Sequence, residues 1–174
     1  MRRLQGSRSH PQLKEVEMRK EVWRLGSGYS TCQISTMGRV RRVWIDHKGR
    51  NRTRLMTLSV RRDGYLRVPV SENGESGWVK VHQLVAGTFL GVCPPGREVN
   101  HRDGNKRNNA IDNFEYVTPE DNKKHAVRVR TIRRFYRAGK GENWLFKEFG
   151  RYGFSRAVIG RVVRRRGGKT KGGR

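Results

Sequence analysis

The sequence predicts an α+β chain built from small modules along an elongated molecule: an N-terminal β module, a central strand–loop–strand–helix unit and a C-terminal helical region. Three observations predict this. Asp63-Gly64 and Asn73-Gly74 separate short runs of alternating polarity, the pattern of β-hairpins. After Ala126, apolar residues recur at helical spacing with arginines on the opposite face. Apolar residues are only 33% of the 174, against 32% charged, too few for one large core.

The chain carries 40 Lys+Arg against 15 Asp+Glu, a net charge of +25. A charge of that size calls for a polyanion, and nucleic acid is the expected partner. The charge is unevenly placed: +10 over residues 1–60, −1 over 61–122 and +16 over 123–174. A chain that merely coats nucleic acid has little use for a neutral middle. A centre that binds a divalent cation does, because Lys and Arg would repel the ion. No apolar run approaches the ~18 residues of a membrane span. Met1-Arg2-Arg3 is not followed by the apolar stretch of a signal peptide. Cys32 and Cys93 lie far apart without Cys-x-x-Cys, so neither a disulfide framework nor a cysteine zinc site is expected. The expectation is a cytoplasmic protein.

Taken in order, residues 1–20 read as a flexible basic arm and 21–60 as the β module. Short strands fall near Tyr29, at Gln33-Ile34-Ser35 and at Arg39 to Val43, with Met37-Gly38 as a turn. Asp46 to Asn51 is a polar loop. After Asp63-Gly64, Tyr65 to Val70 alternates, and Pro69 marks this run as an edge strand. Asn73-Gly74 then turns the chain into Trp78-Val79-Lys80-Val81. His82 to Leu90 has Leu84, Val85, Thr88 and Phe89 at helical spacing, with Gly91 and Pro94-Pro95 to stop it. His82, at the start of this helix, reads as a packed or phosphate-touching histidine rather than a ligand. Residues 61–125 make the central unit, and 126–166 a helical region. In the latter, Val129, Ile132, Phe135 and Tyr136 share a face over Ala126 to Ala138, Trp144, Leu145 and Phe149 suggest a short helix, and Ser155 caps a third. A helix, a short helix, a turn and a basic helix is the order of a helix-turn-helix. Residues 167–174 form a basic tail.

Residues 98–125 are the most informative. They read as a strand ending near Val99, a long polar loop turned at Asp103-Gly104, a strand Phe114-Glu115-Tyr116-Val117, and a helix capped by Thr118 with Pro119 first. Six asparagines fall here: Asn100, Asn105, Asn108, Asn109, Asn113 and Asn122. Asparagine suits tight turns and offers both donor and acceptor, so the set can stiffen an irregular loop and present oxygens to a cation. Asn122 and His125, three apart, share a helix face.

This order resembles the HNH nucleases, and more closely the phage-type HNH homing endonucleases. The residues that carry the resemblance are Asn100-His101, Asp103-Gly104-Asn105, Asn108-Asn109, Asn113-Phe114, Tyr116-Val117-Thr118 and Asn122 with His125. The lead-in Val81 to Ala86 is similar too, and Val22 to Val40 resembles the small DNA-binding module that often precedes the core. The resemblance implies a ββα-metal core. It implies His101 as the general base that activates water, a role that suits a side chain whose unperturbed pKa is about 6.5. It implies Asn113 as the residue that pins the loop around His101. Asn100 and Asn122 would offer oxygens to one Mg²⁺ or Mn²⁺, with His125 replacing or assisting Asn122. Some relatives carry Asp where this chain has Asn100, so the substrate phosphate would supply much of the negative charge at the ion.

The expected activity is site-specific hydrolysis of double-stranded DNA, as a nick or a double-strand break, by a monomer on an extended target. Arg39, Arg41, Arg42, Arg52 and Arg54 in the β module, and Arg156, Arg161, Arg164 and Arg165 in the last helix, are the expected DNA contacts. The alternative is a non-catalytic DNA-binding or regulatory protein on an HNH scaffold. A basic RNA-binding protein is a third reading, against which stands the lack of aromatic stacking strands.

Overall fold

Alternating residues and tight turns build the first sheet. In a computed structural model that describes residues 20–164, Trp23–Gly26 (β1), Tyr29–Ser35 (β2), Val40–Ile45 (β3) and Asn51–Leu55 (β4) pair antiparallel in the order β1-β2-β3-β4. The expected arm, but for Lys20, and the expected tail lie outside the described residues, as does Arg165. The chain divides into two compact units, one of residues up to Cys93 together with Asn109–Asp112, the other of Pro94–Asn108 and Asn113 onward.

In the first unit, Met37-Gly38 turns β2 into β3 as expected. Gly38 has φ +78°, and a Cβ there would lie 2.6 Å from the Cβ of Asn109, so only glycine fits. Ile111 N donates to Thr36 O at 2.8 Å beside it. Asp46 closes the β3–β4 hairpin, its Oδ1 accepting from the backbone N–H groups of Lys48 at 2.9 Å and Arg50 at 3.0 Å. Those bonds hold its carboxyl below the usual carboxylate range, the Arg50 backbone bond contributing most.

Ser59–Val60 (β5), Leu66–Glu72 (β6) and Glu75–Lys80 (β7) form a second antiparallel sheet in that order. Asn73 and Gly74, at φ 52° and 84°, make the two-residue turn that sets Glu72 opposite Glu75. The edge position expected from Pro69 is corrected here, because β6 is the central strand. The physical reason is the shortness of β5, which pairs only with Leu66 and Arg67. It never reaches Pro69, so the missing N–H costs no bond on that side.

Val81–Phe89 (α1) packs on β1, β2, β6 and β7. It buries Val81, Leu84, Val85 and Ala86, while Ile34, Val40, Val68 and Val70 are the buried residues of the strands. His82 is buried too, its ring 4.7 Å from that of Tyr65, the packed one of the two roles expected of it.

The second unit contains Glu98–His101 (β8), Phe114–Val117 (β9), and the helices Pro119–Arg137 (α2), Glu142–Phe149 (α3) and Arg156–Val163 (α4). Thr118 Oγ1 accepts from Asp121 N at 3.2 Å with Pro119 in the first turn, and Ser155 Oγ accepts from Val158 N at 3.3 Å, so both expected caps form. α2 is strongly polar and is held by packing rather than by its own apolar content. Its Val129 and Ile132 join Leu145, Phe149, Phe154, Val158, Ile159 and Val162 in one core. Tyr136, expected on the same face, is exposed.

Two expected module boundaries differ from this arrangement. The one after residue 60 separates β5 from β6, which pair. The one after residue 125 cuts α2, a single 19-residue helix. A helix that caps at Thr118 and supplies core residues at Val129 and Ile132 cannot be divided between them without exposing that core.

Candidate active site

The site is a β-ribbon, its loop and the first turns of the helix that follows. β8 and β9 pair antiparallel with Asn100 opposite Glu115 and His101 opposite Phe114. Alternation puts Glu98, Asn100 and Glu115 on one face and His101 on the other, at the ribbon's end. The His101 ring is buried and stands edge-on to Phe114, centroids 4.9 Å apart at 88°.

The loop after His101 is organised by Asp103. Its Oδ1 accepts from Asn105 N at 2.7 Å and Asn113 Nδ2 at 3.0 Å, and its Oδ2 accepts from Asn108 Nδ2 at 2.8 Å. Asn113, fully buried, accepts from Asp103 N on its Oδ1 at 3.1 Å, also donates its Nδ2 to Asn108 O at 3.0 Å, and accepts from Arg102 N on its own backbone oxygen at 2.8 Å. Arg133 of α2 donates to Asp103 O at 3.0 Å. Gly104, at φ +63°, turns the chain where a Cβ would come within 2.8 Å of Val129 Cγ1, so α2 presses directly on this turn. The backbone on both sides of His101 is thereby fixed.

The two candidate metal-ligand asparagines are oriented by carboxylates. Asn100 Nδ2 donates to Glu115 Oε1 at 2.8 Å, and Asn122 Nδ2 donates to Glu98 Oε1 at 2.6 Å. A carboxylate only accepts, so each amide must turn its nitrogen to it and keep Oδ1 for another partner. Glu115 also pairs with Arg102 Nε at 3.3 Å. The donor set suits a hard cation, since amide oxygens are ligands of Mg²⁺ and Mn²⁺. Among the described residues no group of three His, Cys, Asp or Glu is arranged to hold a metal by itself. An ion here would rest on the amide oxygens and on substrate phosphate.

His125 is placed differently. Its ring stacks on Phe154, 5.0 Å between centroids and 6° between planes, and hydrogen-bonds the Arg102 backbone. Burial is the main cause that pulls its pKa below the usual histidine value. Asn122 therefore sits on the ribbon face with Glu98, whereas His125 serves the packing of the helices.

The expected DNA-contacting arginines fall into two groups, described separately in their units. In the β module, Arg42 stands directly opposite Arg54 and Trp44 opposite Arg52, all on one face of the β3–β4 ladder. Arg52 Nε bonds Asp46 at 2.9 Å, Arg39 pairs with Glu21, and Arg41 bonds Gln33 at 2.8 Å while lying 4.3 Å over Trp23. Among the helices, Arg156 bonds Asn143 at 2.6 Å, Arg164 pairs with Glu142 at 3.1 Å, and Arg161 lies on α4. Surface pairs of this kind are worth about 0–1 kcal/mol, little enough to be exchanged for a phosphate.

From the sequence Asp103 is a turn residue of the motif and not a hub of hydrogen bonds, and Glu98, Glu115 and Arg133 carry no expected role. A signal was present: a stretch with six asparagines needs acceptors for their amide N–H groups, and carboxylates, which only accept, recur through it.

Residues 79–124 match the family model described as HNH endonuclease. An HNH endonuclease of Acanthamoeba polyphaga mimivirus, L245, is 42% identical over 69 residues, 40% of this chain and 21% of that protein. YosQ, an SPbeta prophage-derived protein of Bacillus subtilis named for an HNH homing endonuclease, is 51% identical over 49 residues, 28% of each chain. The DNA endonuclease I-HmuI of Bacillus phage SP01 is 35% identical over 71 residues, 41% of each chain. A solved structure of I-HmuI, titled for DNA binding and cleavage by that HNH homing endonuclease, superposes with a TM-score of 0.51 at 30% identity, over 61% of this chain and 57% of that one. The chain thus spans well under two thirds of the length of each of these relatives. The ribbon, the asparagine-pinned loop and the start of the capped helix all fall within residues 79–124, the stretch that matches the HNH endonuclease family model, and the I-HmuI structure is similar over 61% of the chain.

Proposed function

We propose that this chain is a DNA endonuclease that hydrolyses a phosphodiester bond with His101 as general base and one divalent cation. The observation that carries the reading is the doubly bonded Asp103–Asn113 pair, which fixes the backbone beside His101 while Asn100, the next residue back, is oriented by Glu115. A base whose backbone is fixed, next in sequence to an oriented amide, supports a reading in which His101 takes a proton from water at a bound phosphate.

Each residue then has a task. His101 removes the proton from the attacking water. Asn113 and Asp103 keep the His101 backbone from shifting. Asn100 and Asn122 hold the cation through Oδ1, and Glu115 and Glu98 fix the direction of those amides. When bound, Mg²⁺ or Mn²⁺ supplies positive charge for the phosphate oxygens and the leaving 3′ oxygen. The arginine-rich β3–β4 face and α4 bind the backbone of an extended duplex site, with the protein acting as a monomer.

The test is His101→Ala. Cleavage of target DNA should fall by about 10²–10⁴-fold while affinity for the same duplex stays within a factor of about two. Parallel loss of binding and cleavage would assign His101 to the fold and favour the non-catalytic alternative.

A further inference from the structure

We infer that the helical part of the second unit carries a stacking site for an unpaired nucleotide of single-stranded DNA, separate from the ribbon and loop described above. A cavity of about 540 Å³ opens there, lined by Arg128, Thr131 and Phe135 of α2, Trp144 and Glu148 of α3, and Tyr152 of the turn that follows α3. Two of its aromatic walls stand open, Trp144 at 38% and Tyr152 at 42% exposed, while Phe149, which also lines it, belongs to the core.

Each exposed ring carries cations. Arg128 and Arg151 lie 4.3 and 4.9 Å from the Tyr152 centroid, and Lys140 lies 5.2 Å from that of Trp144. Glu148 also lines the cavity, and its charge is offset by Arg151 at 3.4 Å. A second cavity of about 230 Å³, lined by Val127, Arg130, Thr131 and Arg134, shares Thr131 with the first and continues its positive surface along α2.

Aromatic faces flanked by arginine and lysine match the chemistry of an unstacked base with a phosphate on either side. A base stacks on the ring, and the cation that covers it moves to the phosphate. A duplex has no use for the rings, because its base faces are buried in the stack. Hence the aromatic lining selects a single strand, and the arginines alone would not. The choice of DNA rests on the proposed endonuclease activity. The experiment reads binding alone, so failure of that activity and failure of this site are distinguishable.

Full-length protein carrying His101→Ala is titrated with a 12-nucleotide single strand, and with the same strand bearing three central abasic positions. The two have equal phosphates and equal charge. The intact strand should bind at least about fivefold more tightly. Tyr152→Leu and Trp144→Leu should each reduce that ratio toward one, and Tyr152→Phe, which keeps the ring, should restore it. Equal affinity for the intact and abasic strands overturns the proposal, as does a ratio unmoved by both leucine variants. Tyr152→Leu weakening a blunt duplex as much as the single strand would make the groove a duplex contact and overturn it too. Self-association in sedimentation that Tyr152→Leu abolishes would make the occupant a second copy of the chain, with the same consequence.

Discussion

Asp103 and Asn113 hydrogen-bond each other twice across ten residues, Asp103 N to Asn113 Oδ1 at 3.1 Å and Asn113 Nδ2 to Asp103 Oδ1 at 3.0 Å. The pair closes the loop that joins β8 to β9. It is buried, so neither side chain can replace the other with water. Replacing Asp103 with Asn turns an acceptor into a donor that faces the N–H groups of Asn105, Asn108 or Asn113. A buried bond to a charged group is worth about 1.5–3 kcal/mol, and a misplaced donor adds its own desolvation cost. Urea unfolding of Asp103→Asn should show about 2–4 kcal/mol lost. A midpoint equal to that of the native chain would mean the loop is ordered by other contacts.

Glu115 bridges Asn100 Nδ2 and Arg102 Nε and touches no proposed reacting atom. Its proposed role is to aim the Asn100 oxygen. Glu115→Ala should therefore raise the Mn²⁺ concentration for half-maximal cleavage by roughly 10-fold or more, the range for groups that orient metal ligands. The rate at saturating Mn²⁺ should recover, and Glu115→Gln, which keeps an acceptor, should lie between the two. A drop in the saturated rate with an unchanged metal midpoint would contradict the orienting role.

Arg42 and Arg54 oppose each other on the β3–β4 ladder. Like charges in that relation destabilise a sheet by about 0.2–1 kcal/mol, so the pair is retained at a cost to the fold. Changing both to Gln should raise thermal stability slightly while weakening DNA binding. The slope of log affinity against log salt should become shallower by about one for each phosphate contact removed. An unchanged slope would leave the helices of the second unit to supply the phosphate contacts.

Burial pulls the pKa of His125, stacked on Phe154, below the usual histidine value, while Glu115, the Arg102 backbone and Asp103 favour its charged form and Arg128 opposes it. A histidine whose pKa is lowered on folding contributes stability that is complete above the unfolded value of about 6.5 and is lost as the pH falls through the folded value. Melting temperature should thus decline from pH 7.5 toward pH 5. His125→Phe, which keeps the stack and cannot be protonated, should show a smaller decline. Equal declines in both proteins would place the pH dependence elsewhere.

The local features of this chain are set by local physics, and so they are legible in the sequence. Asn73-Gly74 can turn a hairpin because both residues accept left-handed backbone, Thr118-Pro119 starts a helix wherever it is placed, and Gly153-Ser155 separates two more. The spacing of Asn100, His101, Asn113 and Asn122 is likewise written in the order of residues, and with it the resemblance to HNH endonucleases that residues 79–124 match. Tertiary structure decided what depends on a distant partner. Pro69 lies in a central strand because β5, several residues upstream, stops short of it. α2 runs unbroken past residue 125 because its Val129 and Ile132 complete a core with α3 and α4. His125 and Asn122 share a helix face, yet one meets Phe154 and the other Glu98, a separation that helical spacing cannot express. Asp103 reads as an ordinary turn residue until the chain folds back and brings Asn108 and Asn113 to its carboxylate. Periodicity reports which way a side chain points along its own element, and only the packed fold determines what stands there to receive it.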